Sequence, residues 1–454
     1  MKIKSNQFLL AMMLGASIFI SCKKTPDVTP PPTPPAVTAE DKMKDSVLLY
    51  TRDIYLWYNQ IPSNFNPRTY ADPDKIMQAI RQYSTEPGFT QPVDRFSFAI
   101  KQADWNNISS GISGDFGFSV FFFTAADLRV KYVERESPAG KAGIQRGWRI
   151  TKINGSTNIA TDDATLNFII NAVFYSAAST FTFVKPDGTS VDIALNAANY
   201  KTHPVMADSV YTISGKNIGY LVFNSFIGDT TEMYSELNRV FTRFATAAIN
   251  DVVIDLRYNG GGYISVAERL TNYLSPLSAN GSLMMTQKYN DKYSQYNTST
   301  YFKKAGSINL PRVFFIVSSS SASASELLIN NLTPVMDVKL IGRNNTYGKP
   351  VGFFPIPVSD WYIFPVSLRT VNKNGDGNYF NGFTPNAIVA DGVNKNWGDV
   401  TEPSLASAIK YITTGAFRYE FTRTDQQQAE VSKSNMVLDA PAFKGSVSTR
   451  RILK

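Results

Sequence analysis

Between residues 317 and 332 the chain reads VSSSSASASELLINNL, with six serines inside eight positions. An apolar run, RVFFIV (312–317), precedes the cluster and SELLINNL (325–332) follows it. The serines therefore read as a strand-to-helix turn, not a linker. A serine at such a turn has two uses. Ser323-Ala324-Ser325-Glu326 matches the S-x-x-E capping box, in which the serine caps the helix. The same position lies at the positive end of the helix dipole, beside unpaired N–H groups, which suits a nucleophile whose substrate builds negative charge on oxygen. A nucleophile needs a base, and the only histidine is His203, in KTHPV at what reads as a domain junction. Lysine can replace histidine when burial brings its pKa toward neutrality. The composition offers many lysines and does not choose among them.

A second stretch, DLRYNGGG (255–262), ends a buried apolar strand in three glycines. Alone it reads as a turn, and it lacks the G-K-[ST] ending of a phosphate loop. NKNGDG (372–377) has the start of a calcium loop, but its twelfth position is Phe383, not a bidentate glutamate. It reads as an Asp-Gly turn. With one cysteine and one histidine, the chain offers no His/Cys cluster, and no metal or cofactor is implied.

These stretches need elements to position them. Residues 40–110 read as a helical subdomain: DSVLLYTRDIYLWYN (45–59) and DPDKIMQAIRQY (72–83) have helical periodicity, and DRFSFAI (94–100) is a short aromatic segment. Residues 111–200 turn β-rich, with TFTFVKPDGTSVDIAL folding as a hairpin about Asp187-Gly188. Residues 201–412 alternate strands and helices, which argues for an α/β core. Residues 413–454, with the polar run DQQQ, read as a weakly structured extension of unknown role.

The bulk composition sets bounds. The chain has 454 residues, 43% hydrophobic and 18% charged, which is globular and long enough for more than one domain. The net charge of +8 is scattered without a basic block, so no nucleic-acid partner is expected. Lys2 and Lys4 precede an apolar run (8–20) too short to span a bilayer, which reads as a signal peptide over residues 1–21. Cys22 follows it as the only cysteine, so no intrachain disulfide can form. A lone cysteine at a signal cleavage point resembles a lipoprotein lipobox, with Phe19 in place of the usual leucine. The resemblance implies a lipid on Cys22, a membrane anchor, and a place in the cell envelope of a Gram-negative-type bacterium, facing the periplasm or exterior. The Pro-rich stretch 22–39 then acts as an extended spacer.

Two further resemblances follow from quoted residues. DFGFSV (115–120) and SPAGKAGIQRGWRITKING (137–155) resemble a PDZ domain, with Trp148 where the pattern usually has Asp. The resemblance implies that the loop Phe116-Gly117-Phe118 binds a peptide C-terminus and that the next strand pairs with it. SASASELLINNL followed by IGRNNTYGK resembles the C-terminal processing peptidases, or tail-specific proteases. DRFS (94–97), DLRYNGGG, GYLVFNSF (219–226), NGFTPNAIVADG (381–392) and GDVTEPSLASAIKYI (398–412) resemble the family's other segments, in order. The resemblance implies a multidomain α/β (α+β) chain: a crotonase-like ββα spiral protease core, an inserted β-rich PDZ domain and an N-terminal helical subdomain. It maps the nucleophile to Ser323 and the base to Lys349, 26 positions on. It gives the oxyanion hole to the Ala324 N–H and a glycine N–H, with Gly261 the candidate and the register among Gly260, Gly261 and Gly262 open. The implied activity is serine endoproteolysis near the C-termini of unfolded proteins or peptides. The alternative is a catalytically silent, PDZ-containing peptide-binding lipoprotein. Two departures stand out: Phe353 replaces the glutamine that many members place four residues after the lysine, and Asn386 replaces an aspartate.

Overall fold

The structure, a computed structural model, describes residues 36–417, 425–439 and 442–450, with the backbone alone at 425–430. Cys22 and the expected signal peptide lie outside the described residues. The account below concerns the compact unit from Glu40 onward.

Helix α1 (Ala39–Ile54) buries Val47, Thr51 and Ile54 on one stripe. Its periodicity extends to Asn59, but the helix stops at Ile54. There Tyr55 turns inward and its hydroxyl donates to Asp94 Oδ2 (2.7 Å). Helix α2 (Pro73–Ile80) starts as its sequence predicts: Asp72 accepts the Lys75 N–H (2.8 Å) and Pro73 fills the first turn. Strand β1 (Phe98–Lys101) runs directly into helix α3 (Gln102–Ser110).

Strand β2 (Ile112–Ser113) opens a β-rich excursion. Strands β3 (Phe118–Thr124) and β4 (Asp127–Val133), helix α4 (Pro138–Lys141), β5 (Arg149–Ile153), α5 (Asp163–Ile170), β6 (Ala178–Val184) and β7 (Ser190–Asn196) follow. The five strands β3 to β7 form one antiparallel sheet in chain order, with the hairpin turn at Asp187-Gly188 as predicted. Strand β8 (Tyr200–Lys201) then pairs with β2, so the excursion leaves and returns through one neck.

The core follows in chain order: β9 (Val205–Ile213), β10 (Lys216–Phe223), α6 (Thr230–Thr246), β11 (Asp251–Asp255), β12 (Gly261–Tyr263), α7 (Ile264–Leu274), β13 (Leu283–Lys288), β14 (Thr298–Tyr301), β15 (Arg312–Ile316), α8 (Ala324–Leu332) and β16 (Asp337–Gly342). Four short strands β17 (Val351–Gly352), β18 (Ile356–Val358), β19 (Trp361–Phe364) and β20 (Leu368–Asn372) precede β21 (Ala387–Ile388) and helix α9 (Pro403–Thr414). The central sheet runs β21-β16-β15-β11-β10-β9 and is parallel except at β9. Its inner strands β11 and β15 carry continuous apolar runs, VVI and VFFI, because both of their faces are covered. Val252, Ile254, Val313 and Phe315 pack on the side of α6, α7 and α8, whereas Val253, Phe314 and Ile316 pack against α9. Helices and sheets combine as the mixed α/β, multi-sheet architecture expected.

The stretch beyond residue 412 departs from its reading. Helix α9 ends at Thr414, and the described residues after it hold helix α10 (Asp425–Leu438) and strand β22 (Gly445–Val447). Val431, Val437, Leu438 and Val447 find their apolar partners on distant elements. Such partners leave no local periodicity to read.

Candidate active site

The parallel strands β10, β11, β15 and β16 all end on one edge of the central sheet, where an open α/β sheet gathers its functional loops. The serine turn leaves β15, DLRYNGGG leaves β11, and the loop to Lys349 leaves β16.

Hydrogen bonds pin most of the serines. Ser321 Oγ donates to Leu256 O (2.7 Å), Ser325 Oγ donates to Asn259 O (3.0 Å), and Ser318 Oγ donates to Arg257 O. They stitch the turn to the chain leaving β11. Asn259 completes the stitch: its O accepts from Ala322 N–H (3.0 Å), its Nδ2 donates to Phe223 O (2.8 Å), and its Oδ1 accepts from Gly261 N–H (2.9 Å).

Ser323 differs from its neighbours. Its backbone sits at φ 60°, ψ −102°, a region that a side-chain-bearing residue occupies at a cost of about 1–3 kcal/mol. A strained serine at a strand-to-helix turn is held off the helix surface, as a nucleophile must be. Its Oγ donates to Ser446 Oγ (2.6 Å), and its N–H donates to Glu326 Oε2 (2.8 Å).

Glu326 does more than the capping box requires. Fully buried, it also accepts from Thr346 Oγ1 (2.6 Å), Gly348 N–H (2.6 Å) and Lys349 N–H (2.8 Å). One carboxylate thus clamps the serine turn to the lysine loop. Burial pushes its carboxyl above the usual range, opposed by these four donors.

Lys349 is 1% exposed. Its Nζ donates to Lys444 O (3.1 Å), lies 3.8 Å from the Phe353 ring centroid and 5.0 Å from that of Phe96. Burial holds the amine well below the ordinary lysine range, and the Arg81 charge adds to this while Asp94 and Glu326 oppose it. Once it has lost its proton, an amine so placed can accept one.

The glycine register becomes visible. Gly261 was the expected oxyanion donor, but its N–H is committed to Asn259 Oδ1. Strand β22 runs parallel to β12, with Gly261 opposite Gly445 and the Gly445 N–H donating to Gly260 O (2.9 Å). In a parallel ladder of this register, the N–H facing the Gly445 carbonyl belongs to Gly262. A Cβ on Gly261 would meet Gly445 O at 2.5 Å and Ala324 N at 3.0 Å, so that carbonyl and the Ala324 N–H share one small space. The Ala324 N–H, the Ala322 carbonyl (2.9 Å from the same point) and the edge of β12 at Gly262 border that space.

His203 lies elsewhere. Its ring bonds to Glu232 and to Arg135 (2.8 Å), and its N–H donates to Glu134 Oε2 (3.1 Å) at the junction of the β-rich unit and the core. Burial pushes the Glu134 carboxyl up to about 7.

In the β-rich unit, Phe116 and Phe118 bury their rings in its core, edge-on to Phe181. Gly117 turns at φ +78°, and its N–H donates to Asp115 Oδ1 (2.6 Å), so the chain's own carboxylate holds that N–H. Arg146 docks the unit on the core, donating to Tyr258 OH (2.9 Å) and pairing with Asp391 (3.1 Å). Arg257 of the D-L-R segment pairs with Asp255, Asp391 and Glu402, so this segment and the Glu402-Pro403 turn meet in one buried ion cluster.

Residues 217–389 match the model of Peptidase family S41, and residues 42–98 match the Peptidase S41 N-terminal domain. The Carboxy-terminal processing protease CtpB of Bacillus subtilis is 26% identical over 260 residues, 56% of this chain and 51% of that protein. A "Probable CtpA-like serine protease" of Staphylococcus epidermidis is 24% identical over 266 residues, 57% and 50% of the two chains. The chain spans about half the length of these curated relatives. A solved "Putative S41 protease" from Bacteroides fragilis superposes with a TM-score of 0.65 at 23% identity, over 81% of this chain and 97% of that one, and so shares the fold. The two matched segments lie in chain order and contain both the serine turn and the lysine loop, and the chain belongs to peptidase family S41.

Proposed function

We propose that this protein is a serine endopeptidase that cleaves unfolded protein or peptide chains near their C-termini, with Ser323 as nucleophile and Lys349 as its base. The observation that carries the reading is convergence. Ser323 Oγ and Lys349 Nζ bond to Ser446 of β22 and to Lys444 just before it, two residues apart on one stretch of chain. The neutral Lys349 amine takes the Ser323 Oγ proton as Oγ bonds to the scissile carbonyl carbon. The carbonyl oxygen becomes an oxyanion between the Gly262 and Ala324 N–H groups. The Lys349 ammonium then gives its proton to the leaving nitrogen as the C–N bond breaks. A water, deprotonated by the same amine, hydrolyses the acyl-enzyme.

The β-rich unit is read as a PDZ domain that holds a substrate tail along β3, and Cys22 as the lipid anchor of a cell-envelope protein. The PDZ reading is supported by the five-stranded sheet, helix α5 and the Gly117 turn before β3. Incorporation of labelled fatty acid by the wild-type chain and its loss in Cys22→Ala test the anchor.

A second reading, a silent peptide binder, is favoured by the Ser323 Oγ contact to Ser446 in place of Lys349. Cleavage of an unfolded reporter with an apolar C-terminus separates the two. The peptidase cleaves it, and Ser323→Ala and Lys349→Ala do not. Equal cleavage by all three chains would sink the dyad, and no cleavage by any chain across a broad peptide library would favour the binder.

A further inference from the structure

The strand that both reactive groups touch belongs to the chain's own C-terminal region. Strand β22 lies parallel on β12, pairing Gly261 with Gly445, Gly262 with Ser446 and Tyr263 with Val447. Its other edge is also taken: Phe353 N–H donates to Ser446 O (3.0 Å), and Ser448 N–H donates to Phe353 O (2.9 Å). A peptide held on both edges in this way has the geometry of strand addition. Phe443 anchors it, its ring 5.7 Å from that of Trp105 and 6.2 Å from that of Phe98. Gly445 lies beside the Ala324 N–H, where a scissile residue would lie. With the strand in place, Ser323 is wholly buried.

The arrangement is substrate-like in path and unreactive in its bonds. Ser323 Oγ donates to a hydroxyl, and Lys349 Nζ donates to the Lys444 carbonyl, so the two groups are bonded to the strand and not to each other. Helix α10 leads into it and is itself seated on β3. Asn435 Oδ1 accepts from Phe122 N–H (2.8 Å), and its Nδ2 donates to Phe122 O (3.0 Å), the pairing an added peptide would make. Leu438 enters the core of the β-rich unit. Asp439, between helix and strand, pairs with Lys131 of β4 and accepts from Ser320 Oγ of the serine turn.

We propose that residues 443–448 are an intramolecular peptide plug, seated as a strand on Gly261–Tyr263 across Ser323 and Lys349, which keeps the site closed until it is displaced. As an account of regulation this rests on the peptidase reading; as an account of occupancy it does not. The plug must leave before an external chain can take the β12 edge, and the occupant that displaces it is an extended peptide.

The test uses the full chain with Val447→Asp, which places a charge in a buried β22 position, and with the milder Phe443→Ala. Both are also made in a Ser323→Ala background, so that binding is read without cleavage. A fluorescent peptide of residues 440–450 is titrated into each Ser323→Ala chain, with thermal unfolding as a check on folding. The expected result is binding at least tenfold tighter to the plug variants than to the chain with its own tail. In the Ser323-containing chains, reporter cleavage should rise at least tenfold. Tighter peptide binding with no cleavage by any chain would keep the plug and remove the peptidase. Peptide binding that does not tighten in a folded variant would overturn the proposal, whatever the cleavage rate. Rapid hydrolysis of the added peptide at Gly445-Ser446 would also overturn it, since the segment would then be a substrate.

Discussion

Lys349 Nζ lies 3.8 Å from the centre of the Phe353 ring, and Phe353 occupies the position expected to hold an orienting glutamine. A glutamine would fix the amine through a hydrogen bond. Here a buried ring face, backed by Phe98 and Phe364, limits where the amine can go. The ring's quadrupole also favours the charged amine and so opposes the desolvation that lowers its pKa.

That opposition can be measured. Phe353→Leu keeps an apolar wall and removes the ring face. The Lys349 pKa then falls further, so the acid limb of kcat/KM moves to lower pH. The looser amine costs about tenfold in rate, or about 1.4 kcal/mol. A pH–rate profile of both chains checks this; an acid limb that stays put or moves upward contradicts it.

Lys349→Met should abolish cleavage and stabilise the fold. In the folded chain the amine titrates below its unfolded value, so between the two pKa values the unfolded state binds more protons and stability rises with pH. Each unit by which the folded pKa lies below the unfolded one, counted no further down than the working pH, costs the native state about 1.4 kcal/mol. Methionine fills the same space without the charge. Denaturant midpoints at pH 7 should therefore favour Lys349→Met, and a variant less stable than wild type would count against a strained, neutral lysine.

Glu326→Gln replaces an acceptor-only group with one that presents an NH2 to N–H donors. At least one of the Ser323, Gly348 and Lys349 N–H groups loses its partner. The expected cost is about 2–3 kcal/mol of stability and about a hundredfold in kcat, with KM less affected, because the turn and lysine loop lose their register. Parallel unfolding and steady-state kinetics check the pair of effects. Unchanged kcat would show that the clamp does not position the reacting groups.

Glu134 supplies a pH test away from the site. Its folded pKa of about 7 is raised by burial, so the native state binds the extra proton, and the stability present at low pH is lost as pH rises through that value. Glu134→Gln keeps an oxygen for the His203 N–H and removes the titration. The variant should melt higher than wild type at pH 8 and not at pH 5. The opposite ordering would contradict the assignment.

The parts of the site carried by local chemistry were legible from residues alone. The strand-turn-helix around Ser323, the acidic cap of α2 and the hairpin at Asp187-Gly188 follow from short-range patterns. The choice of Lys349 among many lysines came from family resemblance. Glu326 was visible as half of a capping box, but its grip on Gly348 and Lys349 depends on a loop from another strand. Asn259 stood in plain view in DLRYNGGG. Its capture of the Gly261 N–H, on which the proposal of Gly262 as oxyanion donor rests, needs the three-dimensional turn. The tail was least legible. Strand β22 is three residues long, too short for periodicity, and its partners β12 and Phe353 are remote in sequence.

The most direct test of the central claim is covalent trapping. The full chain carrying Phe443→Ala, which loosens the plug over Ser323, is treated with a fluorophosphonate across a pH series, and the adduct is mapped by mass spectrometry. The account predicts a single adduct on Ser323, forming faster as Lys349 loses its proton at a pH well below the ordinary lysine range, and lost in Lys349→Met. An adduct on another serine, or labelling of Ser323 at the same rate in Lys349→Met, would contradict it.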